Sequence, residues 1–171
     1  MSAGNAVLLL VDLQERLVPA MHDGERVVAR AARLAEAATL LEVPVLATEQ
    51  APDKLGPTVA RLADVAHLVV PKTRFAAADD VLFPPGRAEV VVAGVEAHVC
   101  VLQTALELLA DGRRVLVVAD AVGSRSVEDE QLALQRLRTA GAGIVTSEMV
   151  LFEWLRDAAH PRFREVQQLL K

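Results

Sequence analysis

The sequence predicts an α/β protein: a doubly wound, three-layer sandwich around a six-stranded parallel sheet. Short β-branched runs alternate with longer helical patterns from one end of the chain to the other, as repeated strand–helix–strand units require. Most of the short runs are apolar at every position, the pattern of strands covered by helices on both faces. The 171 residues are 53% hydrophobic and 24% charged, which suits one domain over residues 1–171 with an ample core and excludes intrinsic disorder.

The first strand is expected at 6–11 (AVLLLV), where Asp12 ends the apolar run. A helix follows at 24–42, then strands at 44–48, 67–70 and 89–93. A second long helix is placed at 98–111, where Leu102, Ala105, Leu106 and Leu109 keep the i, i+3, i+4, i+7 spacing of an apolar face. Gly112 falls where that helix should stop. The fifth strand is expected at 114–119, a helix at 128–140 that closes at Gly141, and the sixth strand at 143–146. Thr146 or Ser147 caps a helix at 147–158, and a tail helix near 162–170 completes the chain. Pro52, Gly56 and Pro57 mark 50–58 as irregular, and Pro84, Pro85 and Gly86 close a second irregular stretch at 73–85. No repeat or linker divides the chain.

Composition removes several functions. One cysteine permits no internal disulfide, and the four histidines form no HxxxH pair, so a disulfide scaffold and a cysteine-rich zinc site are excluded. Aromatic residues make up 3% and the net charge is −5. A base-stacking platform or a basic groove for phosphates is not expected, and hence no nucleic-acid partner. Runs such as 7–11 and 115–119 are too short to span a bilayer, so no membrane partner is expected. The opening MSAGNAVLLLVD lacks a basic leader and is cut by Asp12, so it reads as a strand and not as a secretory signal. A cytoplasmic location is expected, although a lone thiol is also chemically possible in a secreted protein.

In open α/β sheets, ligands bind at the carboxyl ends of the strands, where the strand order reverses. If the order is 3-2-1-4-5-6, the first and fourth strands are neighbours at that point. Asp12 and Gln14 follow the first strand, Lys72 and Arg74 the third, and Glu96, His98 and Cys100 follow the fourth through Gly94. Asp12, Lys72 and Cys100 then converge on one crevice. Free cysteines are commonly buried and inert. A helix N-terminus, however, lowers a thiol pKa, and a nearby base completes an activated nucleophile. Asp12 is either a turn carboxylate or that base, and Lys72 either a solvated loop residue or its charge partner. His98, two positions before Cys100, diverges from it on a helical turn and reads as pocket lining or a structural hydrogen bonder. There is no GxGxxG and no P-loop. A non-catalytic small-ligand-binding or interaction scaffold of the same fold is the alternative reading. A phosphoacceptor regulator would need a further acidic residue beside Asp12, where Leu13 and Gln14 stand.

The segments LLLVDLQERL, VPKTRFAA, VVVAGVEAHVCVLQTALELLADGRRVLVVADAVGSRS and TSEMVLFEWL strongly resemble the isochorismatase-like cysteine hydrolase family. The resemblance covers essentially the whole chain in order and spacing, and GVEAHVCV is its most specific part. It implies a catalytic triad in which Asp12 matches the aspartate, Lys72 the lysine and Cys100 the nucleophile. It also implies a non-proline cis peptide that maps to Val95–Glu96 and turns the N–H groups of Glu96 and Cys100 inward as an oxyanion hole. Gln14, Leu17, Phe75 and His98 are the expected substrate-pocket residues. Nicotinamidase members carry an Asp-x-His metal cluster after the second strand, and an aromatic where this chain has Leu17. Here ATEQAPDKLGPT has no histidine, so neither a metal nor another cofactor is expected. True isochorismatases typically lack the nucleophilic cysteine, which this chain retains. TEQ and LGPT look most like the short, metal-free branch, the isochorismatase domain-containing proteins. The expectation is a cysteine-dependent hydrolase of a small amide or carbamoyl substrate, working through a covalent thioester. A homo-oligomer, dimer or larger, is also expected, with Phe163, Val166, Leu169 and Leu170 as its contact surface.

Overall fold

The computed structural model describes residues 1–79 and 83–170, so part of the expected irregular stretch 73–85 lies outside the described residues. Six strands form one sheet: β1 (Ala6–Val11), β2 (Val45–Gln50), β3 (Leu68–Lys72), β4 (Glu89–Val95), β5 (Arg114–Gly123) and β6 (Gly143–Val145). Their order is β3-β2-β1-β4-β5-β6 and every pairing is parallel, as the strand–helix alternation predicts. The helices are α1 (Gly24–Leu40), α2 (Pro52–Leu55), α3 (Ala60–Ala63), α4 (Leu102–Ala110), α5 (Val127–Thr139), α6 (Ser147–Leu155) and α7 (Phe163–Gln168).

Side chains alternate across a strand, and the alternation sorts the core into two layers. Leu8, Leu10, Ala47, Val91 and Val118 pack with α1 and α6. Val7, Leu9, Val11, Leu46, Val90 and Val92 pack with α4 and α5. The central strands β1 and β4 are buried at every position, whereas β3 is an edge strand, half-exposed throughout. Ser126 caps α5 by accepting the Asp129 N–H at 3.1 Å, and Thr146 caps α6 by accepting that of Met149 at 3.3 Å.

Three differences from the sequence reading matter. β5 runs on to Gly123, with a register shift against β4 between Val92 and Gly94. The helix expected from 98 opens instead as a π-turn, Ala97–Val101, before α4 begins. The tail is not an outward contact surface: Val166 is fully buried, and Phe163, Leu169 and Leu170 pack on the α1 layer. Apolar tail residues found a surface on their own chain, because α7 lies against α1.

One glycine sets the site. Gly94 has φ +129°, and a Cβ there would meet the Val11 backbone nitrogen at 2.6 Å. Only glycine lets β4 lie this close to the end of β1, which brings the two functional strand ends together. Among the described residues, no helix is long and apolar enough to cross a membrane.

Candidate active site

β1 ends at Val11, and Asp12 turns the chain in the left-handed region with φ 51°. The parallel register places Thr48 opposite Val11 and Gln50 opposite Lys72. Thr48 and Gln50 share the face of Leu46, so they look toward the α4/α5 side, where Cys100 also packs. Thr48 Oγ1 donates to Asp12 Oδ1 at 2.8 Å, and Lys72 Nζ donates to Asp12 Oδ2 at 2.7 Å. Lys72 Nζ also donates to Gln50 Oε1 at 2.8 Å and to the Phe75 carbonyl at 3.1 Å. Asp12 is 0% exposed. A charge buried that deeply persists only when paired and hydrogen-bonded, and both of its oxygens are.

Cys100 rides on the π-turn after β4, where the Val95–Glu96 peptide is cis, as the resemblance implies. The Glu96 carbonyl accepts from the N–H groups of Val99 and Val101, both at 3.1 Å, and so ties the turn closed. Turns of this kind inside helices recur at functional sites. The thiol is buried, close enough to Asp12 and Lys72 to feel both charges. Burial pushes its pKa up, the Asp12 carboxylate pushes it further, and Lys72 pulls it back, leaving it at about 12. This reverses the expectation of a thiol acidified by a helix terminus. The dipole of one turn does not offset the loss of water, and the Lys72 charge is largely answered by Asp12.

The remaining expected residues are placed as follows. Gln14 is fully buried, with its Nε2 donating to the carbonyls of Gln50 at 3.1 Å and Gly56 at 2.6 Å. Its Oε1 accepts the Gln50 N–H at 2.8 Å. Gln14 therefore clamps the loop after β2. Leu17 packs on the α1 layer, across the sheet from Cys100. Phe75 is exposed, and it meets Lys72 through its carbonyl. His98 Nδ1 sits 2.9 Å from Ser124 Oγ, and its Nε2 lies 3.9 Å from Asp129 Oδ2. The Glu96 carboxylate pairs with Arg125 at 2.7 Å.

A cavity of ≈ 810 Å³ opens beside Lys72, with Thr48, Lys54, Arg74, Ala76 and Ala77 among its walls. Of the expected site residues only Lys72 lines it: Asp12, Gln14, Leu17, Phe75, Glu96, His98 and Cys100 are not among its walls. The wall segment is pinned to α4: Thr104 Oγ1 accepts the Ala77 N–H at 2.9 Å, and Arg74 bonds both Glu107 oxygens at 3.0 Å. Thr48, Gln50 and Thr104 were not singled out from the sequence. ATEQ closes an otherwise apolar strand with three consecutive polar residues, a pattern that marks the strand end without singling out Thr48 and Gln50. Among the described residues, no group of three or more His, Cys, Asp or Glu is placed to hold a metal ion.

Residues 6–149 match the family model of the isochorismatase domain. The chain is 42% identical over 171 residues to isochorismatase domain-containing protein 2A of Mus musculus, covering 98% of this chain and 83% of that one. Among solved structures it superposes on the MAR1 ribonuclease from Caenorhabditis elegans with TM-score 0.92 and 36% identity, over 99% of this chain and 91% of that one. YcaC from Pseudomonas aeruginosa, solved with hexane-2,5-diol and covalent acrylamide, gives TM-score 0.86 and 25% identity, over 99% and 96% of the two chains. YcaC from Escherichia coli, an octameric hydrolase of unknown specificity, gives 0.86 and 26%, over 98% and 94%.

Proposed function

The chain belongs to the isochorismatase family, and from that premise we propose that it is a cysteine-dependent hydrolase of a small amide or carbamoyl compound, acting through a covalent thioester. The observation that carries the reading is the ion pair between the fully buried Asp12 and the largely buried Lys72, set against the sole cysteine of the chain. A scaffold gains nothing from burying that pair beside a thiol.

The high thiol pKa decides how the nucleophile forms. At rest the site holds a thiol and a carboxylate, and Asp12 accepts the Cys100 proton only as Sγ bonds to the substrate carbonyl carbon. The carbonyl oxygen becomes an oxyanion, which the N–H groups of Glu96 and Cys100 stabilise; one such donor is typically worth about 3–4 kcal/mol. As the oxyanion collapses, the C–N bond breaks, and Asp12 returns its proton to the leaving nitrogen. Asp12 then draws a proton from water, whose oxygen attacks the thioester, and the departing sulfur recovers that proton. Lys72 holds Asp12 in place and balances its charge.

The cavity volume lies in the range of small-molecule sites. The Pseudomonas aeruginosa YcaC carries covalent acrylamide, and an electrophile of that kind would find a nucleophile here in Cys100. The Caenorhabditis elegans relative is called a ribonuclease, but a net charge of −5 and 3% aromatic residues favour a small-molecule substrate over an extended nucleic acid. The test is turnover of a panel of small amides and carbamoyl compounds, with single-stranded RNA as a separate substrate. Amine release together with an acyl adduct on Cys100 supports the reading. Binding without turnover makes the chain a ligand-binding scaffold, and RNA cleavage that needs Cys100 overturns the substrate class.

A further inference from the structure

This inference rests on the proposed role of Lys72 as charge partner of the proton carrier Asp12. A lysine ammonium has three N–H donors and no acceptor. At Lys72 they meet three oxygens: Asp12 Oδ2 at 2.7 Å, Gln50 Oε1 at 2.8 Å and the Phe75 carbonyl at 3.1 Å. The side chain is 9% exposed, so water has little access to replace any of them.

Of the three acceptors, Gln50 is itself held from two sides. Its main-chain N–H and carbonyl are bracketed by the Gln14 carboxamide, at 2.8 and 3.1 Å. Its Nε2 donates to the Thr73 carbonyl at 2.8 Å. That bond decides which way the carboxamide lies: the nitrogen is engaged by a carbonyl, and the oxygen faces the ammonium. The register of β2 and β3 sets Gln50 directly opposite Lys72. Two residues earlier on the same face, Thr48 holds the other oxygen of Asp12. One strand end thus supports both members of the ion pair.

We propose that Gln50 is a positioning residue for Lys72: its oxygen is one of the three that fix the ammonium and so hold its charge beside Asp12 and Cys100. The charge matters to the thiol, because Lys72 is the group that opposes the upward push of burial and Asp12 on Cys100. An ammonium no longer held by Gln50 opposes it less.

The chain has one cysteine, so its alkylation by iodoacetamide, followed by intact mass, reports Cys100 alone. In Gln50→Met, which keeps the length of the side chain and loses its oxygen, the alkylation rate is expected to fall about tenfold at every pH from neutral to mildly alkaline, the effect of one pKa unit on the thiolate fraction. Circular dichroism checks the fold. Gln50→Asn, which withdraws the carboxamide by one methylene, is the second variant and is expected to slow alkylation in the same sense. If Gln50 only holds the loop to Thr73, its loss opens the site and alkylation accelerates. An unchanged or faster rate in the folded variants overturns the proposal. The readout needs no substrate, so failure of the unsubstituted chain to turn over any amide would sink the hydrolase reading and leave this result standing.

Discussion

Asp12 does two opposed things to Cys100: its carboxylate raises the thiol pKa, and in the proposed reaction it also removes the thiol proton. Asp12→Asn separates the two. Turnover is expected to fall by about 10²–10⁴-fold, the usual value of a positioned proton carrier, while iodoacetamide alkylation of Cys100 becomes faster because the opposing charge is gone. Cys100→Ala is the control that keeps the ion pair and is equally inactive. His98→Ala is expected to be mild by comparison, since its ring contacts are Ser124 and Asp129. Turnover that survives Asp12→Asn but dies in His98→Ala would make His98 the base. A second prediction concerns pH. Folding raises the thiol from 9.0 to about 12, so the folded chain holds this proton more tightly than the unfolded one. That contribution to stability is complete below the unfolded value and is lost as pH climbs toward the folded one. Urea unfolding between about pH 8.5 and 10.5 should show stability declining in the native chain, and that component should vanish in Cys100→Ala.

At the scale of elements, the site depends on two strand ends lying against each other, β1 at Val11 and β4 at Gly94. Gly94→Ala places a Cβ against the Val11 backbone and forces a positive φ on a residue that resists it. The expected cost is about 3 kcal/mol or more, read as a lower urea midpoint, with turnover reduced in whatever fraction stays folded. A variant as stable as the native chain would show that the strands separate there without penalty. β2 carries the opposite lesson. Its last residues, Thr48 and Gln50, are polar because they serve Asp12 and Lys72. In sequence they look only like the frayed end of an apolar strand.

At the scale of the whole molecule, the tail residues proposed for self-association are taken up by the chain's own core, and the large apolar side chains exposed among the described residues are others: Met149 and Phe152, one turn apart on α6, Val127 and Leu132 on α5, and Leu68 and Phe75 at the β3 edge. Self-association is still expected, with those helices as candidate contacts, and an octameric relative supports it. Sedimentation velocity at micromolar concentration checks this, and a monomer throughout would overturn it. The strand order and the meeting of Asp12, Lys72 and Cys100 at one edge were legible in the sequence, whereas the cis Val95–Glu96 peptide was expected only through the family resemblance. Hydrophobic period and short motifs are local, and a parallel sheet converts them into position by a simple rule. The direction of the Cys100 pKa, the acceptors of Lys72, the clamp made by Gln14 and the burial of the tail were decided only by the tertiary structure. Each depends on how residues far apart in the chain share water, charge and hydrogen-bonding capacity. That sharing is a property of register and packing, and no single segment contains it.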